Sequence, residues 1–159
     1  MWRPQNAPLR EPQKAWALRS SSPKRHVGSV IVKNRRILAT GFNGAPSGLP
    51  HCTETGCLAF EGEGTSCKRV VHSEHNAILQ DSGNLSGATL YTSYFPCHDC
   101  MKAIVSAKIK EIVYEQEYSK HKEKYGASLE LAKQAGVSVR KISSVDVAGY
   151  LSAHYGRTR

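Results

Sequence analysis

The chain has 159 residues, 40% apolar and 22% charged, with 22 basic against 13 acidic residues and a formal net charge of +9. That length and composition suit a single domain spanning 1–159 with a real core. They exclude bulk disorder, and no apolar run approaches membrane-spanning length. The positive balance fits an anionic partner, nucleotide phosphates or a nucleic-acid backbone, though many small basic proteins bind neither.

In chain order, residues 1–12 carry Pro4, Pro8 and Pro12 beside Arg3 and Arg10 and read as an irregular N-terminal arm. Gln13 to Arg19 predicts a short helix with Trp16 and Leu18 as its apolar contacts. Ser20-Ser21-Ser22-Pro23 is a loop. Around it Arg19, Lys24, Arg25 and His26 make a basic cluster that reads equally well as a phosphate site or a solvated loop. Val27 to Lys33 is β-rich and mostly apolar, a buried strand. Asn34-Arg35 makes a turn, and Arg36 to Gly41 returns as the second strand of a hairpin. Gly41-Phe42-Asn43-Gly44-Ala45-Pro46-Ser47-Gly48-Leu49-Pro50 is a shaped loop. Within it, Asn43 either hydrogen-bonds a sugar or base, or simply makes a turn with Gly44.

Residues 51–71 form a long connection, and such loops are usually functional or separately pinned. His51, Cys52, Cys57 and Cys67 offer donors for a second, structural zinc. Their spacing matches no standard finger, and free cysteines are often small buried hydrophobes. The five cysteines are an odd count, and no signal peptide is read at the start, so a reducing, cytoplasmic compartment is expected.

Further along, Ser73 to Gln80 predicts a helix, Ala88 to Ser93 a third strand, His98 to Lys108 a helix and Lys110 to Tyr114 a fourth strand. Tyr118 falls in a loop. His121 to Ala135 predicts a helix closed by Gly136, Val137 to Ile142 a fifth strand and Asp146 to His154 a final short helix. Strands alternating with helices after the hairpin predict an α/β fold, a three-layer α/β/α sandwich with a mixed five-stranded sheet.

Two short stretches carry the chemistry. Val71-His72-Ser73-Glu74-His75-Asn76-Ala77-Ile78 holds a His-x-Glu, and Phe95-Pro96-Cys97-His98-Asp99-Cys100 holds a Pro-Cys-x-x-Cys. A catalytic zinc takes three protein ligands and keeps one position open, and His72, Cys97 and Cys100 supply three. Cys97 and Cys100 are three apart and share a helix face. Pro96 suits the first turn of that helix, whose positive end favours thiolate over thiol. Glu74 is better placed to carry protons than to ligate. Alone, Cys-x-x-Cys also describes a redox pair or a structural zinc knuckle, and His-x-Glu alone an ordinary amphipathic helix. Together, in this order, they match the signature of zinc-dependent nucleobase deaminases.

From Arg19 to about Tyr118 the chain resembles the deoxycytidylate (dCMP) deaminases of the cytidine deaminase superfamily. The resemblance rests on Val27-Gly28-Ser29-Val30-Ile31-Val32, the loop from Gly41 to Gly48, the cysteine-bearing insertion, His72-Ser73-Glu74 and Phe95 to Cys100. It implies a cytidine deaminase-like fold and hydrolysis of dCMP to dUMP and ammonia, feeding thymidylate synthesis. It also implies zinc held by His72, Cys97 and Cys100. Glu74 would take a proton from the attacking water, protonate ring N3 and then deliver a proton to the leaving amine. The backbone around Ser73 would meet the base carbonyl, Asn43 the sugar or base, and Lys24, Arg25 or Tyr118 the phosphate. Family members are commonly hexamers, activated by dCTP with Mg2+ and inhibited by dTTP, with the loop containing Gly44, Ala45 and Gly48 near that regulatory site.

Three features depart from the family pattern. Ser73 stands where alanine is usual. Ser66 stands where relatives often carry a histidine that reaches the phosphate. The N-terminal helix is short and broken by proline. Other readings remain open: a tRNA adenosine deaminase, a zinc deaminase acting on dCTP or 5-substituted dCMP, and a zinc or nucleotide-binding module without catalysis. The long insertion argues against the tRNA enzyme, so a small deoxynucleotide rather than nucleic acid is the expected partner, with no membrane.

Overall fold

The structure is a computed structural model and describes residues 12–59, 67–80, 83–117 and 122–143. The arm at 1–11, Tyr118 and the expected helix at 146–154 lie outside the described residues.

Five strands form one sheet in the order β2-β1-β3-β4-β5. They are β1 (Gly28–Lys33), β2 (Arg36–Phe42), β3 (Thr89–Tyr94), β4 (Glu111–Gln116) and β5 (Ser138–Lys141). The first hairpin is antiparallel, and β1 also runs antiparallel to β3. From β3 onward the pairing is parallel, β3 with β4 and β4 with β5. The mixed sheet expected from the alternation of elements is therefore present, each strand within about two residues of its expected bounds at either end.

Local chemistry explains the hairpin. Asn34 and Arg35 both adopt left-handed φ, 52° and 63°, the twist that a two-residue turn between strands requires. The β-branched run Val30-Ile31-Val32 then fills the middle of the sheet and is buried on both faces. A bulge between Ile31 and Val32 shifts the register against β2 and leaves Leu38 out of the pairing.

Helices cover both faces. Ser29 pairs with Gly41, so Gly28 and Gly41 point to opposite sides of the hairpin. A Cβ at Gly28 would strike the Gln13 carbonyl and Ala17 nitrogen of α1 (Pro12–Ala17). One at Gly41 would strike the Ser73 carbonyl and Ala77 nitrogen of α3 (Ser73–Gln80). These two glycines let one helix press on each side of the same two strands. The crossovers β3-α4-β4 and β4-α5-β5 add α4 (His98–Ser106) and α5 (Lys122–Gln134) beside α3. Ala77, Met101, Ile104 and Ala132 from those helices meet Ile31, Leu90 and Ile112 from the sheet in one buried cluster. Phe95 closes that cluster, edge-on to Tyr114 with ring centroids 5.1 Å apart. The result is the three-layer sandwich.

Two details differ from expectation. Leu18 is not an apolar contact of α1; it is 84% exposed because the helix ends at Ala17, and Gln13, Ala17 and the half-buried Trp16 face inward instead. The 51–71 connection contains a one-turn helix, α2 (Cys52–Thr55), started by a reciprocal cap between His51 and Glu54.

Candidate metal centre

His72 sits immediately before α3. Cys97 is the N-cap of α4, in extended conformation, and Cys100 lies in that helix's first turn. The helix starts there because Pro96 stands just ahead of the cap and the Cys97 carbonyl accepts the Met101 N–H at 2.8 Å. His72 Nδ1 lies 3.5 Å from Cys97 Sγ and 3.4 Å from Cys100 Sγ, and the three donor atoms fall within 4.8 Å of one another. Zinc bonded to one imidazole and two thiolates sets neighbouring donors roughly 3.6 Å apart in a tetrahedron. The donor types and their separations thus fit a zinc ion.

Charge is already arranged for that purpose. The Cys97 thiol is lowered to about 4, chiefly by the Cys100 thiol and then by His72, against the cost of burial. His72 is raised to about 9 by its bond to Cys97. Cys100 is pushed up by its anionic neighbour Cys97 and by burial. His75 Nδ1 lies 3.7 Å from Cys100 Sγ, a neighbour that sequence reading did not single out.

Glu74 is buried, 3% exposed, on the first turn of α3. Burial raises its pKa, with the His72 charge acting in the opposite sense. Its Oε2 accepts from the Ser73 hydroxyl at 2.9 Å. Ser73 Oγ in turn lies 2.8 Å from Ser29 Oγ, and Ser29 Oγ hydrogen-bonds Thr92 Oγ1 at 3.1 Å. Ser29, Ser73 and Thr92 are all fully buried. Nothing in the local sequence pointed to Ser29 or Thr92. The signal lay in register, since Ser29 pairs with Thr92 across β1 and β3.

Asn43 is buried and fixes the entrance to α3. Its Oδ1 accepts the Ser73 N–H at 2.9 Å, and its own backbone N–H is donated to the Val27 carbonyl. The Ser73 N–H, part of the backbone stretch expected to meet a base carbonyl, is donated to Asn43 Oδ1. Asn76 adds a second tie, donating to the Phe42 carbonyl at 2.7 Å.

The other expected residues divide. Arg25 stacks its guanidinium 5.7 Å over the Tyr94 ring at the carboxyl end of β3, three residues before Cys97, whereas Lys24 is an exposed loop residue beside it. Gly44 forms a bridge with Val71, and Gly48 turns with φ +81°. Ala45 is buried and donates its N–H to His51 Nδ1 at 3.3 Å. Cys52, Cys57 and Cys67 converge within 4.8 Å of one another, but His51 is not in that group. Its Nδ1 is held instead by the Ser21 hydroxyl at 2.7 Å and by Ala45, so the imidazole braces the Gly44–Gly48 loop.

Known proteins are similar to this chain. Residues 9–116 match the family described as the cytidine and deoxycytidylate deaminase zinc-binding region. ComE operon protein 2 of Bacillus subtilis is 40% identical over 129 residues, covering 79% of this chain and 65% of that one. The deoxycytidylate deaminase of Saccharomyces cerevisiae is 39% identical over 132 residues, covering 80% of this chain and 41% of that one. The chain thus spans under two thirds of the length of these curated relatives. The crystal structure of dCMP deaminase from the cyanophage S-TIM5 in complex with dCMP and dUMP superposes with a TM-score of 0.67 at 31% identity, covering 83% of this chain and 92% of that one.

Proposed function

We propose, since this chain belongs to the cytidine and deoxycytidylate deaminase family, that it hydrolyses dCMP to dUMP and ammonia and so supplies dUMP for thymidylate synthesis. The observation that carries the reading is the meeting of His72, Cys97 and Cys100 beside a buried, hydrogen-bonded Glu74. The structurally similar cyanophage protein with dCMP and dUMP supports the choice of substrate.

His72, Cys97 and Cys100 would hold the zinc ion, which when bound would supply electrophilic activation of water near neutral pH. The chain's own groups do the rest. Glu74 accepts a proton from the attacking water and gives it to ring N3, which makes C4 the electrophile. It then passes the second proton to the exocyclic amine, which leaves as ammonia. A carboxylate whose pKa is raised by burial is a stronger base than an exposed one and takes the water's proton more readily. Ser73 steadies the oxygen that is not carrying the proton, and Asn43 Nδ2 is offered to the base or sugar. Arg25, with Lys24 next to it, meets the phosphate. Effector control by dCTP with Mg2+ and by dTTP in a hexamer is part of the same reading, with the Gly44, Ala45 and Gly48 loop at the regulatory site and His51 as its brace.

The test is ultraviolet-monitored deamination by zinc-loaded protein. Substrates are dCMP, dCTP, deoxycytidine and an adenosine-containing tRNA anticodon stem, with and without dCTP and Mg2+ or dTTP as effectors. Turnover of dCMP, raised by dCTP and lowered by dTTP, is expected. Turnover of the RNA alone, or of none, overturns it.

A further inference from the structure

His72 and His75 stand three residues apart across the start of α3, as Cys97 and Cys100 do across the start of α4. Positions three apart share a helix face, so the two pairs confront each other where α3 meets α4. Cys100 is the sulfur that faces both histidines. Its Sγ lies 3.4 Å from His72 Nδ1 and 3.7 Å from His75 Nδ1. His75 has no part in the proton transfers assigned to Glu74.

His75 does not fit the coordination sphere itself. His72, Cys97 and Cys100 place their donor atoms within 4.8 Å of one another, and His75 stands outside that group. Three protein ligands and an open position already complete a catalytic zinc site. The 3.7 Å separation suits an N–H donated to sulfur. Cys100 needs such a donor. It is fully buried, so bulk water does not solvate a thiolate there, and a buried charge without hydrogen bonds is costly. Cys97 differs: it is half-buried, and its sulfur accepts the Cys100 backbone N–H. Asp99 on α4 does not draw the imidazole away, since its Oδ1 is bonded to Lys102 Nζ at 2.7 Å.

We propose that His75 is a positioning residue of the metal centre, donating its Nδ1–H to the Cys100 thiolate, fixing that sulfur for zinc and drawing charge from it. The proposal rests on zinc at His72, Cys97 and Cys100. It requires the imidazole to carry a proton on Nδ1. Groups that hydrogen-bond a metal ligand fix its orientation, and their loss weakens metal binding. A thiolate that shares an N–H also donates less charge to the ion, which stays the stronger Lewis acid.

Variants of the full chain test it. Zinc affinity, read by competition with a chelator under reducing conditions, is expected to fall about 10-fold in His75→Leu. It is expected to hold in His75→Asn, whose Nδ2 group takes the place of the Nδ1–H. With cobalt in place of zinc, the sulfur-to-metal absorption is expected to move to lower energy in His75→Leu and to stay in place in His75→Asn, because an N–H bond stabilises the sulfur electrons. Ring-nitrogen NMR of the isotope-labelled wild-type zinc protein covers the case of a variant that fails to fold, and is expected to find a proton on His75 Nδ1. A bare Nδ1 in the wild-type protein overturns the proposal. So does a His75→Leu protein with wild-type affinity and cobalt spectrum, or a His75→Asn protein that behaves as His75→Leu. None of these measurements needs turnover. A protein that binds zinc in this way and leaves dCMP untouched sinks the proposed activity alone, and one that binds no zinc sinks both.

Discussion

The Ser73 hydroxyl donates to Glu74 Oε2 at 2.9 Å while its oxygen sits 2.8 Å from Ser29 Oγ. Each hydroxyl has one proton to give. With the Ser73 proton given to Glu74, the single Ser29 proton serves two oxygen neighbours, Ser73 Oγ and Thr92 Oγ1, the second of which accepts it at 3.1 Å. The three buried hydroxyls act as a unit. Ser29→Ala and Ser73→Ala are expected to be non-additive by about 1 kcal/mol in urea unfolding. Additive losses would show that the two hydroxyls do not share a bond.

Glu74→Gln keeps the size of the side chain and removes its proton-carrying function. Turnover of dCMP is expected to fall by about 10³-fold, with KM little changed and metal content intact. Loss of zinc in this variant would instead make Glu74 a ligand.

Gly41→Ala sets a methyl group against the Ser73 carbonyl and the Ala77 nitrogen, both backbone atoms of the helix that carries Glu74. It is expected to destabilise the protein by about 1–3 kcal/mol and to reduce kcat through displacement of α3. Chemical denaturation and steady-state kinetics on the same sample read both effects. Unchanged stability would mean that α3 does not press on β2 as described.

Lys14 pairs with Glu115 at 3.2 Å, and the Glu115 side chain is 2% exposed. Lys14→Met leaves that carboxylate buried opposite an apolar stem. A loss of about 3 kcal/mol is expected, recovered in large part by adding Glu115→Gln. A double variant no more stable than Lys14→Met would argue against the ion pair as the cause.

Glu117 is held below the usual carboxylate range by the Lys141 ammonium at 3.0 Å and by the Tyr114 hydroxyl at 2.9 Å. The folded state thus holds this proton more weakly than the unfolded chain. Its contribution to stability is present above the unfolded pKa and lost as pH falls through the folded one. Lys141→Met is expected to move the Glu117 midpoint upward in a carboxyl NMR titration. An unmoved midpoint would assign the depression to Tyr114 alone.

Much of this architecture was legible because neighbouring local patterns agreed on one arrangement. The β-branched run from Val30 to Val32 favours a buried strand, and Pro96 ahead of Cys97 and Cys100 favours a helix start, which the structure sets at His98 with Cys97 as its cap. What escaped depended on contacts distant in sequence. Ser29 and Thr92 look like ordinary strand residues until the β1–β3 register sets them side by side. His51, beside Cys52, reads as a metal donor until Ser21, thirty residues earlier, is found occupying its ring nitrogen. Leu18 reads as a core residue until the helix stops one position before it. Asn43 belongs to the same class: its type announced a polar contact, and only the folded loop shows its Oδ1 turned to Ser73.

His72 stands just ahead of α3, and Cys97 and Cys100 stand at the start of α4, helices that precede and follow β3 in the chain, so the spacing of these donors is set by where α3 and α4 dock and not by how much chain separates them. The connection from α3 to β3 can therefore gain or lose residues without moving His72 relative to the sulfurs. The three residues between β3 and α4 have no such freedom, because any change there rotates Cys97 and Cys100 away from the histidine. Length variation among natural variants of this chain should accumulate on the first side of β3 and be absent from the second.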